Sequence, residues 1–301
     1  MADLLRPRPS TAAQLRSLVT AAHANGEPLV LPGCYDALGA RLIEQAGFDA
    51  VYMTGFGTTA SLLGRPDVGL LGLAEMVDNA RRIADAVALP VFADADTGYG
   101  NAVNMVRTIA AYERAGIAGV HIEDQVLPKR CGHMEGKQVV DRVEFIGKVR
   151  AAVAARTDDD FVVVARTDAF APHGLDETIA RGDGAVEAGA DALFIEALED
   201  HHDIEVIAER FRDIPLLFNW VEGGKTPPLT YREVADLGFA MIIMPVGMLL
   251  SATAAMQHFL ARLKADGTPA AFVDELLPFG DFTDLIGLGE IDDIERRFGG
   301  A

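Results

Sequence analysis

A short unit recurs along this chain: a helix rich in small residues ends at a glycine, and a short apolar run follows at once. Glycine after a helix supplies the left-handed backbone that ends it, and an unbroken apolar run indicates a strand buried on both faces. The unit occupies residues 46–54, 115–123, 188–196 and 237–244. Further apolar runs fit as strands at residues 28–31, 90–93, 161–165 and 215–218. The sequence therefore predicts eight strands separated by helices.

Eight strand–helix units in 301 residues favour a closed (β/α)₈ barrel, or TIM barrel, over an open doubly wound sheet. Because no linker or low-complexity tract interrupts the pattern, we expect one barrel domain over residues 1–301. Residues 265–301 are predicted to form a helical extension that packs on the barrel or is exchanged between subunits. The apolar surface expected on this extension consists of Phe282, Leu285, Ile286, Leu288 and Ile291.

The charge balance limits the partners of the chain. Its 45 acidic residues outnumber the 26 Lys and Arg residues, which gives a formal net charge of −19. Such a chain repels nucleic acid and anionic membranes, so we expect neither as a partner. Two cysteines cannot form a disulfide framework, and the sequence shows neither a signal-peptide core nor an apolar run of about 18 residues. The expected location is the cytoplasm.

Residues suited to binding and catalysis gather where the predicted strands end, which is where barrel enzymes place their chemistry. They are Thr54, Gly55, Asp94, Asp96, Glu123, Asp124, Arg166, Thr167, Asp168, Glu196 and Asn219. Burying Asp94, Asp96 and Glu123 side by side requires cations nearby. Oxygen ligands without a His or Cys cluster favour Mg²⁺, with Mn²⁺ as an alternative, over Zn²⁺.

Each of these features also has a purely structural interpretation. Asp94 and Asp96 could be a helix cap and a turn, and Glu196 could simply pair with Arg166. His121 lies inside an apolar strand and is expected to be a satisfied interior histidine. The functional interpretation depends on the shared position of the acids, the arginine and the asparagine at one rim of the barrel.

A thiol stands between cations in the segment Lys129-Arg130-Cys131-Gly132-His133. Nearby positive charge lowers the pKa of a thiol, and a loop with glycines such as Gly132 and Gly136 can close over a substrate. The alternative is a basic loop that carries a stray cysteine. The other cysteine, Cys34, is expected to be a small buried filler.

Several segments of the chain resemble the isocitrate lyase/phosphoenolpyruvate mutase superfamily. They are residues 51–55, 65–69, 94–100, 121–125, 129–133, 165–169 and 219–227. Within the superfamily, the chain from Leu31 to about Arg297 is similar to the short 2-methylisocitrate lyase-like and 2,3-dimethylmalate lyase-like enzymes. The Cys-Gly-His sequence is specific for the carbon–carbon lyases, because phosphonate mutases and oxaloacetate-decarboxylase-like members lack that cysteine.

The resemblance implies a lyase that cleaves a 2-hydroxy acid by a Mg²⁺-dependent retro-aldol or Claisen reaction. It assigns the metal to Asp94 and Asp96, held directly or through water. Asp67 and Glu123 belong to the surrounding shell. The substrate-binding positions that it implies are Thr54, Gly55, Phe56, Gly132, His133, Glu196 and Asn219.

The same resemblance implies the catalytic roles. Cys131 donates a proton to the carbanion that cleavage leaves, and Arg166 neutralises charge on the reacting oxygen. The group that removes the hydroxyl proton stays open between Tyr52, a nearby carboxylate and metal-bound water. The implied assembly is a homotetramer, formed as a dimer of swapped dimers.

The substrate expectation comes from missing cations. Residues 233–261 and 265–295 contain no Lys or Arg, and Leu250 and residues 278–279 stand where tricarboxylate-cleaving relatives are expected to align arginines. A third carboxylate would stay unpaired there, which is costly. We therefore expect a 2-alkylmalate-type dicarboxylate such as 2,3-dimethylmalate, cleaved to pyruvate or a related 2-oxo acid and a carboxylic acid. The alternatives are 2-methylisocitrate, giving pyruvate and succinate, an oxaloacetate decarboxylase-like activity, and a non-catalytic dicarboxylate binder.

Overall fold

Eight parallel strands close on themselves into a barrel in the computed structural model, which describes residues 5, 8–132, 134 and 136–299. Each strand pairs with the next along the chain, and the last pairs with the first in a register from Leu29↔Met241 to Pro32↔Met244. The strands are β1 (Leu29–Cys34), β2 (Val51–Met53), β3 (Val91–Asp94), β4 (Gly119–Glu123), β5 (Val162–Thr167), β6 (Ala192–Ile195), β7 (Leu216–Asn219) and β8 (Met241–Met244). The predicted (β/α)₈ barrel is confirmed.

Helices alternate with these strands along the chain. They are α1 (Ala12–Asn25), α2 (Ala37–Gln45), α3 (Gly55–Leu63), α4 (Leu73–Ala86), α5 (Ala102–Arg114), α6 (Arg142–Ala155), α7 (Phe170–His173), α8 (Leu175–Glu187), α9 (His201–Arg210), α10 (Tyr231–Asp236), α11 (Gly247–Asp266), α12 (Phe279–Leu285) and α13 (Leu288–Phe298). α1 precedes the barrel, and its Leu15 packs with Leu29 and Val162, which lie at the starts of β1 and β5. This end of the barrel is therefore covered, and the opposite end carries the polar residues.

The glycines of the repeated unit have the backbone that the sequence pattern requires. Gly116 and Gly189 adopt positive φ values of 81° and 93° shortly before β4 and β6. Residues with a Cβ are strained in this left-handed region, whereas glycine is not. The four predicted helix–glycine–strand units all form, with Gly47 and Gly238 in the same conformation at 84° and 85°.

The structure places four strand ends further along the chain than the apolar runs suggested, and one of them is that of β7, which ends at Asn219. β1 continues to Cys34, β3 includes Asp94, and β5 continues to Thr167. Arg166 therefore lies within β5, paired in register with Glu123 of β4 and Phe194 of β6. Polar residues at these positions still complete the strand ladder, and their side chains reach the rim from a fixed backbone.

A layer of aromatic side chains fills the barrel below the rim. The rings of Tyr52, Phe92 and Phe194 each lie within 6 Å of the His121 ring, at 5.8, 5.8 and 5.5 Å between centroids. His121 is fully buried, and its Nε2 lies 2.9 Å from the Tyr52 hydroxyl. Its Nδ1 has no hydrogen-bond partner among the described residues, so the expected satisfied histidine is satisfied at one nitrogen only. Burial lowers the pKa of His121 to about 4, which keeps the ring neutral at neutral pH.

The chain divides into two compact units, residues 1–248 and 249–301. The second unit contains most of α11, a 3₁₀ turn at Val273–Glu275, α12 and α13. Within it, Phe272 packs edge-on against Phe259 and lies under the Arg262 guanidinium, 4.3 Å from the ring centroid.

The extension predicted over residues 265–301 is helical. Of its expected apolar surface, Ile286, Leu288 and Ile291 are exposed. Among the described residues, no helix is both long and apolar enough to cross a membrane.

Two glycine-to-alanine substitutions should have opposite effects on stability. A Cβ at Gly119 would lie 2.7 Å from both the Val162 Cβ and the Val162 carbonyl oxygen, so Gly119→Ala should destabilise the fold by about 1–3 kcal/mol. Gly147 lies within α6 with open space around its Cβ position, so Gly147→Ala should stabilise the protein by about 0.5–1 kcal/mol. Urea unfolding followed by circular dichroism measures both, and equal effects would contradict the packing described at β4.

Candidate active site

Four buried carboxylates meet at the rim, each delivered by a different part of the backbone. Asp94 ends β3 and Glu123 ends β4, whereas Asp96 follows β3 and Asp67 lies in the loop between α3 and α4. Their exposed fractions are between 1% and 5%. Asp96 has a φ of 48°, uncommon for a residue with a side chain, and its amide donates to Asp94 Oδ1 at 2.9 Å. The turn after β3 therefore holds two of the carboxylates together.

Lys129 is buried among these carboxylates. Its Nζ lies 2.5 Å from Asp67 Oδ2 and 2.7 Å from Asp96 Oδ1. Although burial opposes the charge, Asp96 and Asp67 hold the pKa of Lys129 well above its usual value. The sequence suggested that this cation serves the neighbouring thiol; the structure instead uses it to neutralise acids contributed by other loops.

The carboxylates differ in their affinity for protons. Burial raises the pKa of Asp96 to about 6 against the opposing charge of Lys129, and burial also raises the pKa of Glu123. Burial acts on Asp94 in the same direction, but His121, Lys129 and Arg166 together lower its pKa below the usual value. Of Asp94, Asp96 and Glu123, Asp94 is therefore the most firmly ionised.

The carboxylate group fits a divalent cation such as Mg²⁺. Glu123 Oε1 is buried without a hydrogen-bond donor among the described residues, whereas Asp96 Oδ1 is neutralised by Lys129 Nζ at 2.7 Å. No three His, Cys, Asp or Glu side chains in the described parts of the chain already converge as a complete ligand set. Mg²⁺ commonly binds through one or two carboxylates and completes its coordination with water and substrate.

Arg166 connects the two sides of the rim. Its guanidinium contacts Asp168 at 2.9 Å, Glu123 Oε2 at 3.3 Å and Glu196 Oε2 at 3.2 Å. Although burial opposes its charge, these three carboxylates raise the pKa of Arg166 well above normal. The structural pairing with Glu196 that the sequence allowed is therefore present, within a network that keeps a permanent cation at the site.

The start of α3 provides backbone donors at the end of β2. Thr54 caps this helix, with its Oγ1 accepting from the Gly57 amide at 3.2 Å. Gly55 and Phe56 form the first turn, where helix amides have no intrahelical acceptor and favour an anion. A Cβ at Gly55 would collide with Asp94 Oδ2, so the backbone lies directly against the carboxylate group.

The cysteine lies on a loop whose two ends are joined. We call residues 127–137 the thiol loop; positions 133 and 135 lie outside the described residues. Gln125 and Val139 form an antiparallel bridge, and the Val126 amide donates to the Gln138 carbonyl at 2.9 Å. The loop therefore leaves the end of β4 and returns to it, with its two ends hydrogen-bonded to each other.

The described part of the thiol loop contacts both halves of the site. The amide of the partly exposed Cys131 donates to the Asp67 carbonyl at 3.2 Å. A Cβ at Gly132 would lie 2.5 Å from both Arg166 Nη2 and Glu196 Cγ, so a side chain has no room there. The glycine thus lets the backbone beside the thiol approach the arginine network.

Two other predicted site residues lie at different depths. Tyr52 is buried beneath the rim, and burial raises the pKa of its phenol well above the usual value, which argues against a role as general base. Asn219 ends β7 and donates to Glu196 Oε2 at 3.1 Å, while its Oδ1 is buried without a donor. The expected role of His133 falls on a residue outside those that the structure describes.

The sequence placed Asp124, Thr167 and Asp168 at this rim without giving them a role, and it missed Lys137. Asp168 accepts from Lys137 Nζ at 2.9 Å as well as from Arg166. Asp124 accepts from Thr167 Oγ1 at 2.6 Å and from the Asp168 amide at 2.8 Å. The available signal was the spacing of Arg166 and Asp168, because residues two apart on a strand point to the same side.

The fold is that of a (β/α)₈ barrel with buried carboxylates and an arginine at its strand ends, and comparison with known proteins identifies its family. The sequence profile of the phosphoenolpyruvate phosphomutase family matches residues 19–264. The 2,3-dimethylmalate lyase of Eubacterium barkeri is 46% identical over 289 residues, which cover 96% of this chain and 98% of that enzyme. The 2-methylisocitrate lyase of Escherichia coli (strain K12) is 40% identical over 257 residues, covering 85% of this chain and 86% of that one.

Solved structures of this group superpose closely on the chain. A trigonal crystal form of 2,3-dimethylmalate lyase gives a TM-score of 0.91 at 41% identity, covering 98% of this chain and 97% of that one. Oxaloacetate acetylhydrolase with 3,3-difluorooxalacetate gives 0.91 at 40% identity, covering 98% and 99%. Phosphonopyruvate hydrolase with oxalate and Mg²⁺ gives 0.87 at 31% identity, covering 97% and 100%.

The chain belongs to the phosphoenolpyruvate phosphomutase family, within the isocitrate lyase/phosphoenolpyruvate mutase superfamily. The resemblance carried by the sequence motifs is thereby confirmed. The predicted enzyme class, a carbon–carbon lyase, is the class of these curated relatives.

The raised pKa of Asp96 predicts a pH dependence of stability in the metal-free protein. The pKa is about 6 in the folded state against an ordinary value of 3.8, so stability from this group is fully present below pH 3.8 and is lost as pH rises through about 6. Asp96→Asn removes this titration. The stability of Asp96→Asn relative to wild type should therefore increase between pH 4 and 6 and then level off.

Urea unfolding in EDTA at a series of pH values measures this difference. Asp49→Asn, at an exposed position, is the matched control and should follow wild type across the range. A stability difference for Asp96→Asn that is constant or shrinks with rising pH would contradict the buried environment described for Asp96.

Proposed function

We propose that this protein is a Mg²⁺-dependent carbon–carbon lyase that cleaves a 2-alkylmalate-type 2-hydroxy dicarboxylate, such as 2,3-dimethylmalate. The products are pyruvate or a related 2-oxo acid and a carboxylic acid. One observation carries the proposal: the thiol loop sets Cys131 beside the carboxylate group and lays Gly132 against Arg166 and Glu196. This supports a site in which the proposed proton donor, the arginine and the carboxylates proposed to bind the metal lie near one another.

Asp94 and Asp96 would hold the metal, with Asp67 and Glu123 around it. Support comes from Glu123 Oε1, which is buried without a donor among the described residues, and from a family structure solved with oxalate and Mg²⁺. When bound, Mg²⁺ supplies positive charge to the 2-oxygen and its neighbouring carboxylate, which lowers the pKa of the hydroxyl. Lys129 must then share Asp67 and Asp96 with the metal.

Residues of the chain are assigned to substrate binding, to charge stabilisation and to removal of the hydroxyl proton. The amides of Gly55 and Phe56 and the Thr54 side chain bind the carboxylate that becomes part of the 2-oxo acid. Arg166 offsets charge on the reacting oxygen from a position fixed before the reaction. The hydroxyl proton goes to a carboxylate or to water, because burial keeps Tyr52 protonated.

Cleavage breaks the bond between C2 and C3 and leaves its electron pair on C3, stabilised by the second carboxylate. The Cys131 thiol donates its proton to C3 and regains one from solvent. Gly132, Glu196 and Asn219 position the second carboxylate, and His133 is predicted to help. Asn219 supports this role, because its Nδ2 contacts Glu196 at the rim.

The dicarboxylate preference rests on charge. Residues 233–261 and 265–295 supply no Lys or Arg, so a third substrate carboxylate lacks a counter-charge from these segments. Similarity to 2-methylisocitrate lyases keeps 2-methylisocitrate as the second substrate to test.

A second candidate function is cleavage of an oxaloacetate-like acid in the same pocket. Similarity to oxaloacetate acetylhydrolase over almost the whole chain favours it. The two functions differ in substrate, since cleavage of either acid leaves a carbanion that must gain a proton. A non-catalytic binder would bind the dicarboxylates without turnover.

We also propose that the chain assembles as a homotetramer of swapped dimers and works in the cytoplasm. The exposed Ile286, Leu288 and Ile291 support a subunit contact made by the second unit. Light scattering coupled to size exclusion gives the mass directly; a monomer would contradict the assembly.

A coupled assay for 2-oxo acid release tests the function. We expect Mg²⁺-dependent pyruvate from 2,3-dimethylmalate, abolished by EDTA, and slower release from 2-methylisocitrate because its third carboxylate stays unpaired. Faster turnover of 2-methylisocitrate would refute the dicarboxylate preference, and oxaloacetate turnover alone would favour the second candidate.

Replacing the thiol tests its role as proton donor. Cys131→Ala should lower kcat for the alkylmalate by about 10²–10⁴-fold, the usual contribution of a positioned acid. Cys34→Ala is the matched control, since Cys34 is fully buried in the core and should leave kcat near wild type. Full turnover by a folded Cys131→Ala variant would contradict the proposed role of this thiol as proton donor.

A further inference from the structure

The thiol loop carries two buried lysines, one near each end. Lys129 neutralises Asp67 and Asp96 on the metal side of the site. Lys137, which the proposed chemistry does not use, sends its ammonium group to Asp168 Oδ1 at 2.9 Å, where both side chains are at most 2% exposed. A buried ammonium without a partner is strongly unfavourable, so the loop can lie in this position only while Asp168 receives Lys137.

Asp168 is shared between the loop and the arginine. Its Oδ1 accepts from Lys137 Nζ at 2.9 Å and from Arg166 Nη2 at 3.2 Å, and its Oδ2 accepts from Arg166 Nε at 2.9 Å. Although burial opposes ionisation, Arg166 and Lys137 lower the pKa of Asp168 below its usual value. One carboxylate therefore fixes both the end of the thiol loop and the orientation of the guanidinium.

The backbone of Asp168 is itself held rigidly. Its amide donates to Asp124 Oδ1 at 2.8 Å, and Asp124 Oδ2 accepts from Thr167 Oγ1 at 2.6 Å and from Arg181 Nη1 at 2.9 Å. Arg181 belongs to α8 and also donates to the Val140 carbonyl at 2.8 Å, just beyond the base of the loop. Asp168, which accepts from Lys137, is thus held in place by hydrogen bonds to the surrounding strands and helix.

We propose that Lys137 and Asp168 form a positioning pair that holds the thiol loop closed over Arg166. Neither residue touches the reacting atoms. The Val126–Gln138 hydrogen bond still holds the base of the loop, but loss of the Lys137 contact loosens the loop above that base, which lets Cys131 and Gly132 move away from the arginine network while Asp168 still holds Arg166. The part of this proposal that concerns turnover rests on the proposed lyase function, whereas the part that concerns loop position does not.

Alkylation of Cys131 measures loop position without substrate. Wild type and Lys137→Met are treated with N-ethylmaleimide in the metal-free state, and the labelled peptides are followed by mass spectrometry. Local opening exposes the thiol, so Lys137→Met should raise the labelling rate of Cys131 by at least about tenfold. Cys34 is fully buried and reports unfolding, because it should stay unlabelled in every folded variant.

Matched variants separate the anchor from a general loss of charge. Lys264→Met removes an exposed lysine from α11 and should label Cys131 at the wild-type rate. Lys137→Arg keeps a cation and should restore most of the protection. If Lys137→Met does not fold, as circular dichroism would show, Lys137→Gln replaces it with the same expectation.

Turnover of 2,3-dimethylmalate gives the second readout. Lys137→Met should lower kcat by at least about tenfold while KM changes less than about threefold, because the amides of α3 that bind the first carboxylate are untouched. Lys137→Arg should recover part of kcat. A merely structural role would instead lower stability and leave kcat of the folded fraction unchanged.

The outcomes distinguish the two proposals. Wild-type labelling of Cys131 in folded Lys137→Met overturns the anchor, whatever the substrate proves to be. Faster labelling in Lys137→Met supports the anchor even if no alkylmalate is cleaved by wild type, in which case only the proposed lyase function fails. Faster labelling with an unchanged kcat would overturn the link between loop position and turnover.

Discussion

The need to neutralise buried carboxylates governs this structure. At least five acids are buried at the carboxyl ends of neighbouring strands, where the proposed chemistry needs them. Cations from other elements neutralise most of them: Lys129 and Lys137 from the thiol loop, Arg166 from β5 and Arg181 from α8. Because two of these cations are lysines of one loop, the charge balance of the rim and the position of the proposed catalytic thiol depend on the same contacts.

The fold was predictable because its signal is local and repeated. A glycine that must take positive φ, followed by an apolar run, marks a strand whatever the rest of the chain does, as at Gly116 and Gly189. The strand ends were less predictable, since hydrophobicity stops where the rim becomes polar although hydrogen bonding continues. Arg166 shows this: it lies within β5 but does not belong to the apolar run.

Much of the site also followed from the sequence, because topology brings all strand ends of a barrel to one rim. The sequence did not reveal which charged side chains pair with one another. A long lysine side chain can reach acids several residues or several loops away, so local sequence suggested that Lys129 serves Cys131, whereas Asp67 and Asp96 hold it. The Lys137–Asp168 pair joins residues 31 positions apart and has no short motif.

The two cysteines differ in one further respect. Burial raises the pKa of the Cys34 thiol and keeps it out of solvent, whereas Cys131 is partly exposed on a loop. Oxidation of a thiol requires access and thiolate character, so peroxide would reach Cys131 first. Oxidation to a sulfenic acid would replace the proposed S–H donor with an S–OH group, and a reducing thiol would restore the S–H. The thiol proposed to donate the proton is therefore the one open to oxidation, whereas the core cysteine is shielded by burial.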